Sequence, residues 1–90
     1  MMLKRKLKVK NEYGLHSRPA STLVRLAQKY DSDVLLYRVG EENKMANCKS
    51  VLQILLLGAN KGTELILSSY DSNAIEEISG FFERSFDEAH

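Results

Sequence analysis

The sequence has 90 residues, a hydrophobic share of 43%, a charged share of 28% and a formal net charge of +1. This composition excludes a disordered chain, and the net charge excludes a strong overall field for steering nucleic acid. A chain this short buries only about 60–65% of the surface that it exposes when unfolded, which leaves room for one core and no deep cleft. We therefore expect its chemistry at the surface, where a partner protein brings the rest of the active site.

The sequence contains one cysteine, Cys48, so no internal disulfide can form. We expect it to be a free, partly buried thiol. No paired cysteine or histidine spacing indicates a zinc site, and neither a metal nor another cofactor is expected. No signal pattern and no apolar run long enough to span a membrane are present. These features predict a cytoplasmic protein without membrane insertion.

The first third of the chain predicts a strand followed by a helix. From Leu3 to Val9 every even position is a lysine and the odd positions, apart from Arg5, are apolar, which is close to the pattern of a strand with one buried face. A stripe of apolar residues at helical spacing then predicts a helix over about Ser17 to Lys29. The lysines of the strand are expected to point to an open face of the sheet; they are Lys4, Lys6, Lys8 and Lys10.

The middle of the chain predicts two strands and a short helix. Val34 to Val39 is short and apolar enough for a strand, and the polar turn after it favours an antiparallel partner at Lys44 to Ala46. Periodicity alone allows a strand or a buried helix for Val51 to Leu57. A capping box favours the helix, because the Ser50 hydroxyl can accept from the N3 amide while the Gln53 side chain reaches back to the cap amide.

The last third predicts a strand, a turn and a third helix. Alternation over residues 63–68 indicates the strand. Asn73, followed three residues later by Glu76, resembles a second capping box and predicts the start of the helix. The buried stripe of this helix is expected to extend to Phe86, and the terminal residue His90 is expected to be mobile.

The element order β-α-β-β-α-β-α predicts one α+β domain over residues 1–90. Two split β-α-β units joined by a hairpin give a four-stranded antiparallel sheet with three helices on one face, an open-faced β-sandwich. No internal repeat and no linker divide the chain.

His16 lies at the junction of the first strand and the first helix, within the segment from Gly14 to Ala20. The first amides of a helix have no internal acceptor and attract anions, and Pro19 is tolerated there because its missing N–H needs no partner. With a reference pKa of ~6.5, much of a histidine population is an uncharged nucleophile at neutral pH. Arg18 adds a guanidinium that suits phosphate oxygens. The alternative is a polar residue at a helix end beside a solvated arginine.

The segment from Gly14 to Ala20 resembles the active-site signature of the HPr family of bacterial sugar phosphotransferase systems, and Ser50 with the apolar run after it resembles that family's regulatory-serine segment. The resemblance covers nearly the whole chain. It implies that His16 accepts a phosphoryl group from enzyme I on Nδ1 and passes it to sugar-specific IIA proteins or domains. Arg18 and the backbone amides of Ser17 and Arg18 would hold the phosphate. The resemblance implies a monomeric carrier with a transient phosphohistidine, and not an enzyme.

The same resemblance assigns roles to Ser50 and the helix after it. An ATP-dependent HPr kinase/phosphorylase would phosphorylate Ser50 and lower carrier activity, although the residues alone are explained equally by a helix cap. The docking surface for enzyme I and IIA is expected to include Ser17, Leu52, Gln53 and Leu55, whereas the alternative for these residues is an ordinary core helix. Gln53 and a long connection after the second strand depart from the family pattern and leave the choice of partner open.

Two other functions remain open. A regulatory HPr paralogue would receive phosphate on His16 but signal in nitrogen or carbon control, and the sequence does not separate it from a sugar carrier. A small nucleic-acid-binding domain would use the lysines of the first strand, which lacks the aromatic residues expected for base stacking.

Overall fold

The computed structural model describes residues 1–88, so the expectation for His90 lies outside the described residues. Residues 1–88 form four strands, three helices and one 3-10 turn, in the predicted order. The elements are β1 (Leu3–Lys8), α1 (Ser17–Ala27), β2 (Val34–Arg38), β3 (Ala46–Asn47), α2 (Val51–Leu56), β4 (Glu64–Ser69), α3 (Ser72–Glu83) and the 3-10 turn (Ser85–Asp87).

The four strands form one antiparallel sheet in the order β1-β4-β2-β3. Leu7 of β1 lies opposite Leu65 of β4, and Leu36 of β2 lies opposite Leu67. Residues paired across antiparallel strands project from the same face of the sheet. These four leucines are all buried on the side that the helices cover. The predicted α+β fold with an open-faced antiparallel sheet is therefore confirmed.

The core lies between this face of the sheet and the inner sides of the helices. The predicted stripe of α1 is buried at Ala20, Leu23, Val24 and Ala27. Cys48 belongs to the same core and is fully buried, so the expectation of a partly buried thiol is wrong. Burial disfavours the thiolate and raises the pKa of this thiol to about 12.

Three of the four lysines predicted for the open face of the sheet lie there. Lys4, Lys6 and Lys8 are exposed on the open face, as predicted. Lys10 lies beyond the end of the strand, and its ammonium pairs with Glu83 of α3 at 2.7 Å, so its assignment to the open face is wrong. The open face therefore carries Lys4, Lys6 and Lys8 but not Lys10.

Two elements begin at positions other than the predicted ones. Two successive turns, closed by bonds from Glu41 N–H to Arg38 and from Lys44 N–H to Glu41, delay the strand expected at 44–46, so that β3 starts at Ala46. Helix α3 starts at Ser72. Its cap is the side chain of Asp71, which accepts from the Asn73 amide at 2.8 Å, and not Asn73 itself.

Candidate functional site

The segment before α1 is held against the chain that follows α2. Leu15 donates its backbone N–H to the carbonyl of Ala59 at 2.9 Å. Gly14 has a φ of +71°, and a Cβ on it would lie 2.6 Å from the oxygen of Ala59. Glycine alone fits such a close approach in this conformation. The bend brings His16 to the start of α1, where the sequence predicts it.

His16 is the N-cap residue of α1 and has an extended backbone, with φ −85° and ψ −171°. Its carbonyl accepts from the Ala20 amide at 2.9 Å. Pro19 has no N–H, and the amides of Ser17 and Arg18 form no hydrogen bond within residues 1–88. The Arg18 side chain is exposed. An anion bound at this helix end would meet two amides and could be reached by a guanidinium.

A carboxylate that sequence reasoning missed lies against the imidazole. Oε2 of Glu88 is 2.9 Å from Nε2 of His16, and the two side chains are 15% and 36% exposed. Asn11 donates its side-chain amide to Oε1 of Glu88 and to the carbonyl of Gly14, each at 2.7 Å. Asn11 therefore ties the carboxylate to the loop that carries His16.

Glu88 reaches His16 through a turn of unusual conformation. Ser85, Phe86 and Asp87 have φ values of 53°, 60° and 59°, although none of them is glycine. Such left-handed residues are unfavourable and persist only when their surroundings hold them. The Phe86 ring is buried, as predicted, but it packs from this turn against Phe81 and Phe82 of α3, with centroid distances of 5.1 and 4.8 Å. This packing holds the turn against the body of the protein.

The contact with Glu88 gives different roles to the two nitrogens of His16. An ionised carboxylate has no hydrogen to donate, so the proton in this contact belongs to Nε2. The lone pair of the neutral ring then lies on Nδ1, to which no group in residues 1–88 forms a hydrogen bond. Such a ring presents Nδ1 as its nucleophile. This is the atom that the family resemblance implies.

His16 is accessible from solvent through a shallow surface depression. The depression is lined, besides His16, by Tyr13, Arg18, Pro19, Thr22, Phe86, Asp87 and Glu88. The ring of Tyr13 stands nearly perpendicular to the imidazole, at 85° and a centroid distance of 6.2 Å. A site this open cannot enclose a small substrate, but the surface of another protein can reach it.

Ser50 is the N-cap residue of α2, and its hydroxyl accepts from the Gln53 amide at 3.3 Å. The second half of the predicted capping box is wrong. Oε1 of Gln53 accepts from the Asn47 amide at 2.8 Å, while the Ser50 amide donates to the carbonyl of Asn47. The chain that follows α2 contacts the His16 loop through Ala59 and Leu15, whereas Ser50 lies at the opposite end of this helix, which is about 9 Å long.

The outer side of α2 is apolar and exposed. Leu52 is 67% exposed and Leu55 is 39% exposed, whereas Ile54 alone among the six residues of the helix is buried. Leu56, for which the sequence gives no separate signal within the apolar run, is 76% exposed. An ordinary core helix would bury these leucines, and contiguous exposed apolar groups are typical of interaction surfaces.

The part of the chain that the structure describes contains no helix long and apolar enough to cross a membrane. Within residues 1–88 there is also no group of three or more His, Cys, Asp or Glu side chains arranged to hold a metal ion.

Comparison with known proteins connects this site to one family. A family model described as the PTS HPr component phosphorylation site matches residues 3–84, which include every strand and helix from β1 to α3. The phosphocarrier protein NPr of Klebsiella oxytoca is 32% identical over 91 residues, covering 98% of this chain and 99% of that protein. The multiphosphoryl transfer protein of Haemophilus influenzae is 35% identical over 72 residues. That alignment covers 80% of this chain, which spans only 14% of the relative's length.

A solved structure matches this fold over nearly the full length of both chains. The crystal structure of HPr-C-His from Thermoanaerobacter tengcongensis superposes with a TM-score of 0.86 at 31% sequence identity. The superposition covers 98% of this chain and 99% of that one. Sequence and structure therefore point to the same family over nearly the whole chain.

Proposed function

This chain belongs to the HPr family of phosphocarrier proteins of the phosphotransferase system, and we propose that it accepts a phosphoryl group on His16 from enzyme I and passes it to IIA proteins or domains. The observation that carries this proposal is the state of the His16 ring. Its Nε2 is held by Glu88, its Nδ1 has no hydrogen-bond partner among residues 1–88, and the ring lies at the open start of α1. As a carrier between proteins it would act in the cytoplasm as a monomer.

The proposed transfer is a displacement at phosphorus. The Nδ1 lone pair of His16 forms the new bond to phosphorus, and the donor's bond to phosphorus breaks, so that its electron pair returns to the donor. The proton on Nε2 stays in place, and the positive charge that develops on the imidazole is stabilised by the Glu88 carboxylate at 2.9 Å. Passing the group to an acceptor reverses these steps. No proton has to leave the ring in either direction.

The groups at the start of α1 supply the electrostatic part of the mechanism. Phosphoryl transfer depends mainly on positioning and on stabilising the charge of the equatorial oxygens. The amides of Ser17 and Arg18 and the Arg18 guanidinium would meet those oxygens when the group is bound to Nδ1.

A second candidate is a regulatory carrier that signals in nitrogen or carbon control. The full-length match to a phosphocarrier protein NPr favours it, although the HPr structure from Thermoanaerobacter tengcongensis matches over the same length at nearly the same identity. The two candidates share the His16 chemistry and differ only in the acceptor. Offering the phosphorylated chain to a sugar-specific IIA protein and to a regulatory IIA protein, and comparing the transfer rates, separates them.

The experiment that tests the shared chemistry is mass spectrometry after incubation with enzyme I and phosphoenolpyruvate. We expect one added phosphoryl group that is labile to acid and stable to base, as a phosphoramidate is. His16→Ala should remove the label completely. The matched control is His90→Ala, which leaves His16 as the one remaining histidine and should retain the label. Full labelling of the His16→Ala variant would overturn the proposal.

A further inference from the structure

The buried side chain of Asn11 joins the loop that carries His16 to the segment that follows α3. Asn11 is only 2% exposed. Its side-chain amide donates to the carbonyl of Gly14 and to Oε1 of Glu88, each at 2.7 Å. Both partners are acceptors, so the NH2 group of the amide, and not its oxygen, must face them. One side chain therefore fixes the position of the Glu88 carboxylate relative to the His16 loop.

The oxygen of the same amide gains nothing from its position. Oδ1 of Asn11 is buried and has no hydrogen-bond partner within residues 1–88. Burying an acceptor without a partner lowers stability, and an apolar side chain of similar size would avoid that cost. Such a side chain could not donate to Glu88. Stability alone therefore does not explain an asparagine at this position, whereas its two donated hydrogen bonds do.

The Glu88 carboxylate depends on Asn11 for its orientation. Its Oε2 faces Nε2 of His16 at 2.9 Å, and its Oε1 accepts from Asn11. Within residues 1–88 the ion pair of Glu88 is with His16, so no lysine or arginine side chain holds the carboxylate. A glutamate side chain loses rotational freedom when it is ordered. Asn11 supplies the hydrogen bond that offsets this loss on the side away from the imidazole.

The orientation of the carboxylate decides which nitrogen of His16 reacts. A neutral imidazole carries one proton, which either nitrogen can hold. With the proton on Nε2 the lone pair lies on Nδ1, whereas with the proton on Nδ1 that atom cannot attack phosphorus. A carboxylate fixed against Nε2 favours the first tautomer. A carboxylate that turns towards solvent favours it less, so the fraction of reactive rings falls.

We propose that Asn11 is a positioning residue for phosphoryl transfer, whose side-chain amide fixes the Glu88 carboxylate against Nε2 and thereby keeps His16 in the tautomer that reacts through Nδ1. The inference rests on the proposed function, because it is the transfer that needs Nδ1 unprotonated. Asn11 is buried and is not presented to a partner. Its effect on the rate should therefore pass through Glu88.

NMR of the imidazole nitrogens tests the effect on the ring. At alkaline pH, where histidine is neutral, the original chain should show a protonated Nε2 and an unprotonated Nδ1 in its 15N spectrum. In Asn11→Ala the two 15N shifts should move towards each other, because the two tautomers mix. Asn11→Ser, which is polar but too short to span both partners, should give the same direction of change and replaces Asn11→Ala if that variant does not fold. Cys48→Ala removes another fully buried side chain and is the matched control, with unchanged shifts.

A double-mutant cycle tests whether the effect on the rate passes through Glu88. Rapid-quench measurement with phosphorylated enzyme I should give a rate at saturation on the order of fivefold lower for Asn11→Ala, with KM within about twofold. Glu88→Ala should lower the rate at least as much. In the Glu88→Ala background, Asn11→Ala should cause no further loss, because the group that it positions is gone. Cys48→Ala should keep the rate of the original chain.

The outcomes separate this inference from the proposed function. If the original chain takes no label from enzyme I, the proposed function fails and the role of Asn11 in transfer fails with it. If that chain is labelled but Asn11→Ala leaves the 15N shifts and the rate unchanged, only the role of Asn11 is overturned. A rate loss that persists in the Glu88→Ala background would also overturn it, because Asn11 would then act by holding the loop through Gly14. An equal effect of Cys48→Ala would show a general loss of stability and count against it.

Discussion

The Glu88 carboxylate lies 2.9 Å from Nε2 of His16, although 72 positions separate the two residues in the chain. The contact depends on the left-handed conformation of residues 85–87 and on the burial of Phe86 beside α3. An imidazole held in this way has one nitrogen bonded to an anion and the other open to a partner. The Glu88 carboxylate therefore sets both the orientation and the tautomer of the His16 imidazole.

Replacing Glu88 by Gln should slow phosphorylation of His16 without unfolding the protein. The amide oxygen can still accept from Nε2, but the amide lacks the charge that stabilises the developing imidazolium, and its NH2 replaces the oxygen that accepts from Asn11. Charge-assisted hydrogen bonds exceed neutral ones by about 1–2 kcal/mol, which corresponds to a rate roughly 5- to 30-fold lower. Rapid-quench measurement at saturating phosphorylated enzyme I gives this rate. Glu83→Gln, which removes an exposed carboxylate paired with Lys10, is the control and should leave the rate unchanged. An unaltered rate for Glu88→Gln would assign the carboxylate a structural role only.

The sequence predicts the part of the site whose residues are neighbours along the chain. The bend at Gly14, the placement of His16 before a helix and the open amides of the first turn follow from seven consecutive residues and the known behaviour of helix ends. No local signal predicts the role of Glu88. The contact requires the three residues before it to adopt left-handed backbone conformations although none of them is glycine, and the sequence pattern does not indicate this. That conformation is imposed by tertiary packing of Phe86, which local propensity does not contain.

The local sequence also does not determine on its own which residue caps a helix. Asp71 and Asn73 are both good cap residues, and the choice between them depends on where β4 ends and not on either side chain. Gln53 follows the cap serine at the right distance for a capping box. It bonds instead to the Asn47 amide, because the turn before α2 brings that donor within reach.

Replacing Arg18 by Ala should slow transfer while leaving the fold intact. The side chain is exposed and lies outside the core, and Arg18 belongs to the first turn of α1, so its guanidinium would join the open amides there in holding the phosphoryl group. Losing one charged contact to the transferring group should lower the rate by roughly 10- to 100-fold. Arg25→Ala, which removes an exposed arginine two turns along the same helix, is the matched control. Equal rates for both variants would show that Arg18 takes no part in transfer.

The buried thiol of Cys48 predicts a loss of stability at alkaline pH. Its pKa is raised by burial from 9.0 to about 12, so at neutral pH the folded and unfolded states are both protonated there and the thiol contributes no pH dependence. As the pH rises above 9, the unfolded state releases this proton and the folded state keeps it, which lowers the free energy of unfolding. At pH 10 the loss should be about 1 kcal/mol.

Urea denaturation at pH 8 and pH 10 measures this loss. Tyr30, whose pKa is raised to about 12 chiefly by its hydrogen bond to Glu77, contributes in the same direction, so the comparison must isolate the thiol. Cys48→Ala provides that comparison, because it keeps every other titrating group. Its stability should fall less between the two pH values than that of the original chain, and parallel declines in the two proteins would contradict the role of the thiol.

Two substitutions of Ser50 distinguish a structural helix cap from a regulatory switch. Its hydroxyl accepts from the Gln53 amide at 3.3 Å, and α2 has no acidic residue in its first turn to take over. Ser50→Ala should therefore lower the free energy of unfolding by about 0.5–2 kcal/mol. Ser50→Asp keeps a good cap and places a negative charge favourably at the helix start, so its stability should stay close to that of serine.

If Ser50 is also a switch, Ser50→Asp should slow the phosphorylation of His16 by enzyme I, although the protein remains as stable as before. The reason is position, because the new charge lies on α2 about one helix length from the His16 loop and next to the exposed Leu52. A donor that docks across the His16 loop and the start of α2 would meet an added negative charge. That charge opposes binding and raises KM more than it lowers kcat. Raising the salt concentration should reduce the effect by screening. Thermal melts establish the stability of each variant and enzyme I kinetics give KM. A stable Ser50→Asp variant with unchanged KM would leave Ser50 as a helix cap alone.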